Sequence, residues 1–220
     1  MAASKKISVQ ISTSIGKVSA RIDEAKKPKA VMVLAHGAGA GMDHAFMTSL
    51  AQGLADENIT VIRYNFPFKE NGKGRPDPPA VAEKTVEILL NKAHELFPKL
   101  PVFAAGKSFG GRMSSQRVSK DSPDFLKGIV FYGFPLHAPG AASVDRAEHL
   151  SGVKVPMLFL QGTRDALADL KLMEKVVKKL PLATMMTFEG ADHSFKAGKK
   201  VFLEELVKAT GSWIDAVLGK

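Results

Sequence analysis

Val102-Phe103-Ala104-Ala105-Gly106-Lys107-Ser108-Phe109-Gly110-Gly111 carries an apolar run straight into a glycine-flanked serine and then into helical patterning. The first four residues suit a strand buried on both faces, and Phe109 to Ser119 suits a helix. Between them, Gly106-Lys107-Ser108-Phe109-Gly110 matches G-x-S-x-G. On a sharp strand-to-helix turn this pattern holds the serine in a strained conformation and presents its hydroxyl at the top of the sheet. Such a turn needs small flanks, which Gly106 and Gly110 supply, and it leaves the N–H of Phe109 facing the same space. Ser108 is therefore the predicted nucleophile. Gly106-Lys107-Ser108 also looks like the end of a phosphate-binding loop. That motif requires a glycine five residues earlier, where Pro101 stands, so the reading is set aside. The plain alternative is an unreactive serine at a tight turn.

Working outward, the chain alternates strands and helices. Ile7 to Ser12 and Lys17 to Ile22 flank Ser14-Ile15-Gly16 as a β-hairpin. Ala30 to Ala35 is a wholly apolar strand, and Asp43 is the expected N-cap of a helix reaching Ala55. Ile59 to Tyr64 is a strand, Pro67 to Pro79 a Pro- and Gly-rich loop, and Ala80 to Leu96 an amphipathic helix. Strands follow at Pro101 to Ala105, Gly128 to Tyr132, Met157 to Leu160 and Thr184 to Phe188, with helices at Asp169 to Leu180 and Lys199 to Leu218. Repeated β-α units predict a mainly parallel sheet with helices on both faces and the antiparallel hairpin at one edge. One domain over residues 1–220 is expected. The segment from Phe134 to Val155 has room for a loop and about one helical turn, not for a cap domain.

Ligands of such sheets bind at the carboxyl ends of the strands, and the remaining motifs fall there. A serine hydroxyl is a weak nucleophile without a base. His193, in Gly190-Ala191-Asp192-His193-Ser194-Phe195, follows the last strand and is the predicted base, ahead of His137. Asp165, in Gly162-Thr163-Arg164-Asp165, follows the preceding strand and is the predicted orienting acid, with Asp169 in reserve. His36-Gly37-Ala38-Gly39-Ala40-Gly41 follows the first parallel strand. Its small residues let backbone N–H groups approach a carbonyl oxygen, so the N–H of Ala38, with that of Gly39 as second choice, is expected to join that of Phe109 as an oxyanion hole. An open, shallow pocket bordered by Met42, His44, Phe66, Phe109 and His137 is predicted.

The 220 residues carry a net charge of +9 and no cysteine, which excludes disulfides and thiolate metal sites. No metal or other cofactor is called for. The charge is dispersed over lysines at helix-surface spacing, such as Lys171, Lys175, Lys178 and Lys179, so a solvated face is expected and no nucleic-acid partner. An anionic substrate is compatible with it. Met1 to Lys6 has no apolar signal core and no run is long enough to span a membrane, so cytoplasmic location is expected.

With these motifs in the order Ser108, Asp165, His193, the chain resembles the α/β-hydrolase superfamily over almost its whole length, and its small dienelactone-hydrolase-like members in particular. Dienelactone hydrolases use a cysteine nucleophile, and here Ser108 takes that position. The stretches His36-Gly37-Ala38-Gly39-Ala40-Gly41-Met42-Asp43-His44 and Arg63-Tyr64-Asn65-Phe66-Pro67-Phe68 are similar to a group of predicted hydrolases. That group resembles the hydrolase-like domain of a subunit of a chromatin acetyltransferase complex. The resemblance implies the α/β-hydrolase fold and supplies no substrate. A serine hydrolase of the carboxylesterase type, cleaving a small acyl ester or thioester, is the expectation. The alternative is a non-catalytic domain that keeps the fold to bind a protein partner.

Overall fold

The computed structural model describes residues 4–219, so the stretch read from Met1 to Lys6 lies partly outside the described residues. Predominantly apolar runs with no polar–apolar alternation make strands covered on both sides. They are β3 (Ala30–Ala35), β4 (Ile59–Tyr64), β5 (Val102–Lys107), β6 (Leu126–Tyr132) and β7 (Met157–Gly162). With β1 (Lys5–Ser12), β2 (Gly16–Asp23) and β8 (Ala183–Phe188) they form an eight-stranded sheet in the order β1-β2-β4-β3-β5-β6-β7-β8. The β1–β2 and β2–β4 pairs are antiparallel, and the pairs from β4 through β8 are parallel. The hairpin and the mainly parallel sheet are as the sequence predicts.

The helices are α1 (Ala45–Asp56), α2 (Pro67–Glu70), α3 (Pro79–Leu96), α4 (Phe109–Lys120), α5 (Leu170–Lys178) and α6 (Leu203–Val217). Successive strand residues point to opposite faces, which splits the core in two. Val31, Val33, Ala104 and Phe131 pack with Val86 and Leu89 of α3 and Met113 of α4. Met32, Leu34, Phe103 and Val130 pack with Leu50 and Leu54 of α1 and Leu206 and Ile214 of α6. Because β4 and β5 lie on either side of β3, the loops leaving β3 and β5 diverge to opposite faces and open a crevice between them.

Three local expectations change. The loop after β4 contains a helical turn, α2, which Pro67 can start because its missing N–H would be unpaired there anyway. Helix α1 is capped by His44, whose side chain accepts from the Phe46 N–H. Asp43, the expected cap, pairs instead with Arg21 and Arg63. The last helix starts at Leu203, because residues 196–201 form a small hairpin of β9 (Lys196–Ala197) and β10 (Lys200–Val201). Gly198, at φ 58°, makes its turn. Between β6 and β7 the described chain holds one 3-10 segment, Asp145–Gly152, and no cap domain. No helix among the described residues is long and apolar enough to cross a membrane.

Arg63 of β4 ties the antiparallel edge to the parallel part. Its Nε donates to Asp23 Oδ2 at 2.7 Å, and Nη1 donates to the Met42 carbonyl (2.7 Å), Asp43 Oδ1 (3.1 Å) and Thr48 Oγ1 (3.1 Å). The Arg63 and Asp23 side chains are 4% and 5% exposed. Losing one partner of a buried ion pair strands the other charge. Arg63→Leu is expected to lower stability by about 3–5 kcal/mol. In urea unfolding, the double variant Asp23→Leu/Arg63→Leu should recover part of that loss.

Candidate active site

Ser108 lies between β5 and α4 with φ 52° and ψ −115°, in the left-handed half of backbone space that a side chain rarely adopts. The turn that imposes this closes tightly. A Cβ on Gly106 would sit 2.2 Å from the Gly111 nitrogen, and one on Gly110 would sit 2.6 Å from the carbonyl oxygens of Ala35 and His36. Only glycine fits either position, which is the physical content of the G-x-S-x-G spacing. The Ser108 N–H donates to the Tyr132 carbonyl at 3.2 Å, fixing the turn against β6.

Asp165 and His193 leave the carboxyl ends of β7 and β8, on the same edge of the sheet. His193 Nδ1 donates to Asp165 Oδ2 at 2.7 Å. Gln161 Nε2 donates to the same oxygen at 2.6 Å, and the Leu167 N–H donates to Oδ1 at 2.8 Å. With three donors and a fully buried side chain, the carboxylate is locked as an acceptor. It thereby fixes the proton on Nδ1 and leaves Nε2 as the basic nitrogen. Ser108 and His193 line one cavity of about 730 Å³ together with Gly37, Ala38, His44 and Leu167. Among the described residues no hydrogen bond joins Ser108 to His193; such contacts commonly tighten only when substrate is bound. Neither the Ala38 nor the Phe109 N–H has a partner among the described residues.

The rivals have other employment. Asp169 caps α5 by accepting from the Leu172 N–H, and Asp192 Oδ1 accepts from Ser194 and Lys196 to shape the His193 loop. His137 is buried with both nitrogens engaged: Nδ1 donates to the Ala138 carbonyl, and Nε2 accepts from the Asp169 N–H. It is not on the cavity wall.

The predicted pocket border is corrected accordingly. His44 lines the cavity, but Met42, Phe66 and His137 are buried away from it. Phe66 and Phe68 stack on each other, and Phe109 packs edge-to-face against both, making one aromatic cluster beneath the turn. The cavity wall comes instead from Ala45, Phe46 and Met47 of α1 and from Lys196, Val201 and Leu203 around the β9–β10 hairpin. Reading residues 199–202 as helix conceals this wall in the sequence.

Two bracing residues also escape the sequence reading. Gln161 is a buried amide in an otherwise apolar strand, and its Oε1 accepts from the Phe134 N–H at 3.0 Å. An isolated polar residue four positions before Asp165 is the one available signal. His36 is fully buried at the exit of β3. Its Nδ1 donates to the Gly37 carbonyl at 2.7 Å and its Nε2 accepts from the Phe66 N–H at 3.0 Å. It therefore joins the Gly-rich loop to the loop after β4. Asn65 adds a second tie, its Oδ1 accepting from the Met42 N–H at 2.9 Å.

Residues 28–211 match the model of the alpha/beta hydrolase domain family. The chain belongs to that family. Among solved structures, a serine hydrolase homologue from Coxiella burnetii superposes with a TM-score of 0.76 at 19% identity, covering 96% of this chain and 98% of its own. An alpha/beta serine hydrolase without a lid from Xanthomonas campestris gives 0.71 at 17%, covering 98% and 93%. Dienelactone hydrolase from Anabaena variabilis gives 0.75 at 16%, covering 97% and 98%. At these identities the superpositions establish the alpha/beta hydrolase fold.

Burial pushes His36 down to about 4 from an ordinary 6.5, with the Lys69 charge adding to it and the bond to the Gly37 carbonyl opposing it. The unfolded chain therefore takes up the proton first on acidification. His36 contributes stability that is complete above pH 6.5 and is lost as pH falls through 4, about 3 kcal/mol in all. His36→Phe, which leaves the Phe66 N–H unpaired, is expected to cost about 1–3 kcal/mol at pH 7. Urea unfolding between pH 7 and 4 should then show a shallower acid loss in the variant than in the wild type.

Proposed function

We propose that this hydrolase-family chain is a serine hydrolase that cleaves a carboxylic ester or thioester of a small acyl substrate through an acyl-enzyme. The observation that carries the reading is the hydrogen-bonded Asp165–His193 pair, its carboxylate buried and its ring half-buried, opening into the same cavity as Ser108 on its strained turn. His193 Nε2 takes the proton as Ser108 Oγ bonds to the substrate carbonyl carbon. The N–H groups of Phe109 and Ala38 hold the oxygen that becomes negative. Collapse of that intermediate breaks the bond to the alcohol or thiol, which leaves with the proton from His193. Water, deprotonated by His193, then attacks the acyl-serine, and the acid departs as Ser108 regains its proton. The largely apolar wall of Phe46, Met47, Val201 and Leu203 suits the acyl chain, and Lys196 and His44 on the same wall suit an anionic substituent.

A fluorophosphonate probe should label the wild type on one residue and leave Ser108→Ala unlabelled. Aryl acetate hydrolysis should fall on the order of 10⁶-fold in kcat in that variant, the size of loss met when a catalytic serine is removed. A folded wild type that neither labels nor hydrolyses would instead mark a protein-binding domain that keeps the fold.

A further inference from the structure

Lys107, the residue between Gly106 and Ser108, takes no part in the chemistry above, yet its side chain runs toward the base. Its Nζ donates to the His193 backbone carbonyl at 2.6 Å, bridging 86 positions of sequence. The ammonium lies 5.5 Å from the centre of the Phe195 ring, at the far side of the same loop. Gly133, at the end of β6 with φ 71°, backs the arrangement. A Cβ there would lie 3.2 Å from Lys107 Nζ and 3.4 Å from the His193 ring, so both side chains press into the space that glycine leaves. The charge has no direct carboxylate partner among the described residues. The charged and titratable groups facing it are Asp165 after β7, with Asp192 and His193 after β8.

We infer that Lys107 is a positioning residue for His193: its ammonium holds the base's backbone to the nucleophile turn. The inference rests on the serine-hydrolase reading given above. Asp165 fixes only Nδ1 of the ring, a contact that still allows the loop carrying the ring to pivot. A second tether, from the residue adjacent to the nucleophile, sets the distance between Ser108 and the basic nitrogen. The strand that carries the nucleophile thus also anchors the base.

The tether works against stability, and this separates it from a merely structural contact. Burial pushes the Lys107 ammonium down to about 8, although the charges of Asp165 and Asp192 oppose the shift. In the unfolded chain the group keeps its ordinary 10.5. The fold is therefore penalised for holding the proton at neutral pH, and the penalty is relieved as pH rises from 8 to 10.5. Lys107→Met, similar in length but unable to donate, is expected to raise Tm at pH 7. It should lower kcat for an aryl acetate about ten- to hundredfold, the worth of a charge-assisted hydrogen bond, while KM stays nearly constant. In the wild type, kcat/KM should fall above pH 8 as the ammonium loses its proton; the variant should lack that alkaline limb. A variant with wild-type kcat and an intact limb would overturn the inference, as would one whose Tm falls along with its rate. Hydrogen exchange of residues 190–196 at pH 7 reads the tether without activity. Faster exchange in Lys107→Met supports it, and unchanged exchange refutes it. Absence of fluorophosphonate labelling in the wild type would sink the serine-hydrolase reading separately.

Discussion

The close approach of Gly110 to the last carbonyls of β3 is the constraint on which the rest of the site depends. With the Ala35 and His36 oxygens only 2.6 Å from where a Cβ would stand, α4 can begin only hard against the exit of its neighbouring strand. That contact forces the reversal at Ser108 and brings the Gly-rich loop after β3 alongside it. The left-handed backbone at Ser108 is sterically unfavourable, of order 1–3 kcal/mol for such a residue. It persists because the strands on either side are packed and hydrogen-bonded along their whole length.

Around this contact the molecule uses buried and half-buried polar groups to hold loops. His36 and Asn65 pin the loop after β3 to the loop after β4, and Arg63 reaches the same segment through the Met42 carbonyl. Gln161 pins the Asp165 carboxylate to the start of the segment after β6. Each is a polar side chain with both ends satisfied, so its burial does not leave an unpaired group. The neutral state that burial enforces on His36 is part of this: a protonated ring would have no lone pair for the Phe66 N–H.

The strands and the turn were legible because their signals are local. A continuous apolar run marks β3 to the residue, β4 is read with the bounds it has although Thr60 and Arg63 interrupt its apolar residues, and the requirement for small residues on both sides of Ser108 is written in five consecutive letters. The order of Ser108, Asp165 and His193 along the chain was also readable, since each follows a strand. The cavity wall was not. Phe66 and Met42 look like pocket residues by their place after strands, but their side chains turn inward to the aromatic cluster and the core. Val201 reads as a helix residue but stands on the β10 strand of the small hairpin turned by Gly198, and Leu203, the first residue of α6, lines the cavity beside it. The partners of His36, Gln161 and Lys107 lie far away in sequence, so no spacing rule could reveal them.

The division between carriers and wall has an evolutionary consequence. The groups assigned to bond-making sit at the carboxyl ends of β5, β7 and β8, where buried partners such as Gln161 and the Asp165 carboxylate brace them. Val201 is half exposed, and Phe46 and Leu203, only partly covered, lie near the starts of α1 and α6, outside the strands. Selection can therefore recut one side of the cavity in single steps while leaving the opposite side untouched. Descendants of such a chain should diverge in substrate preference faster than in reaction chemistry.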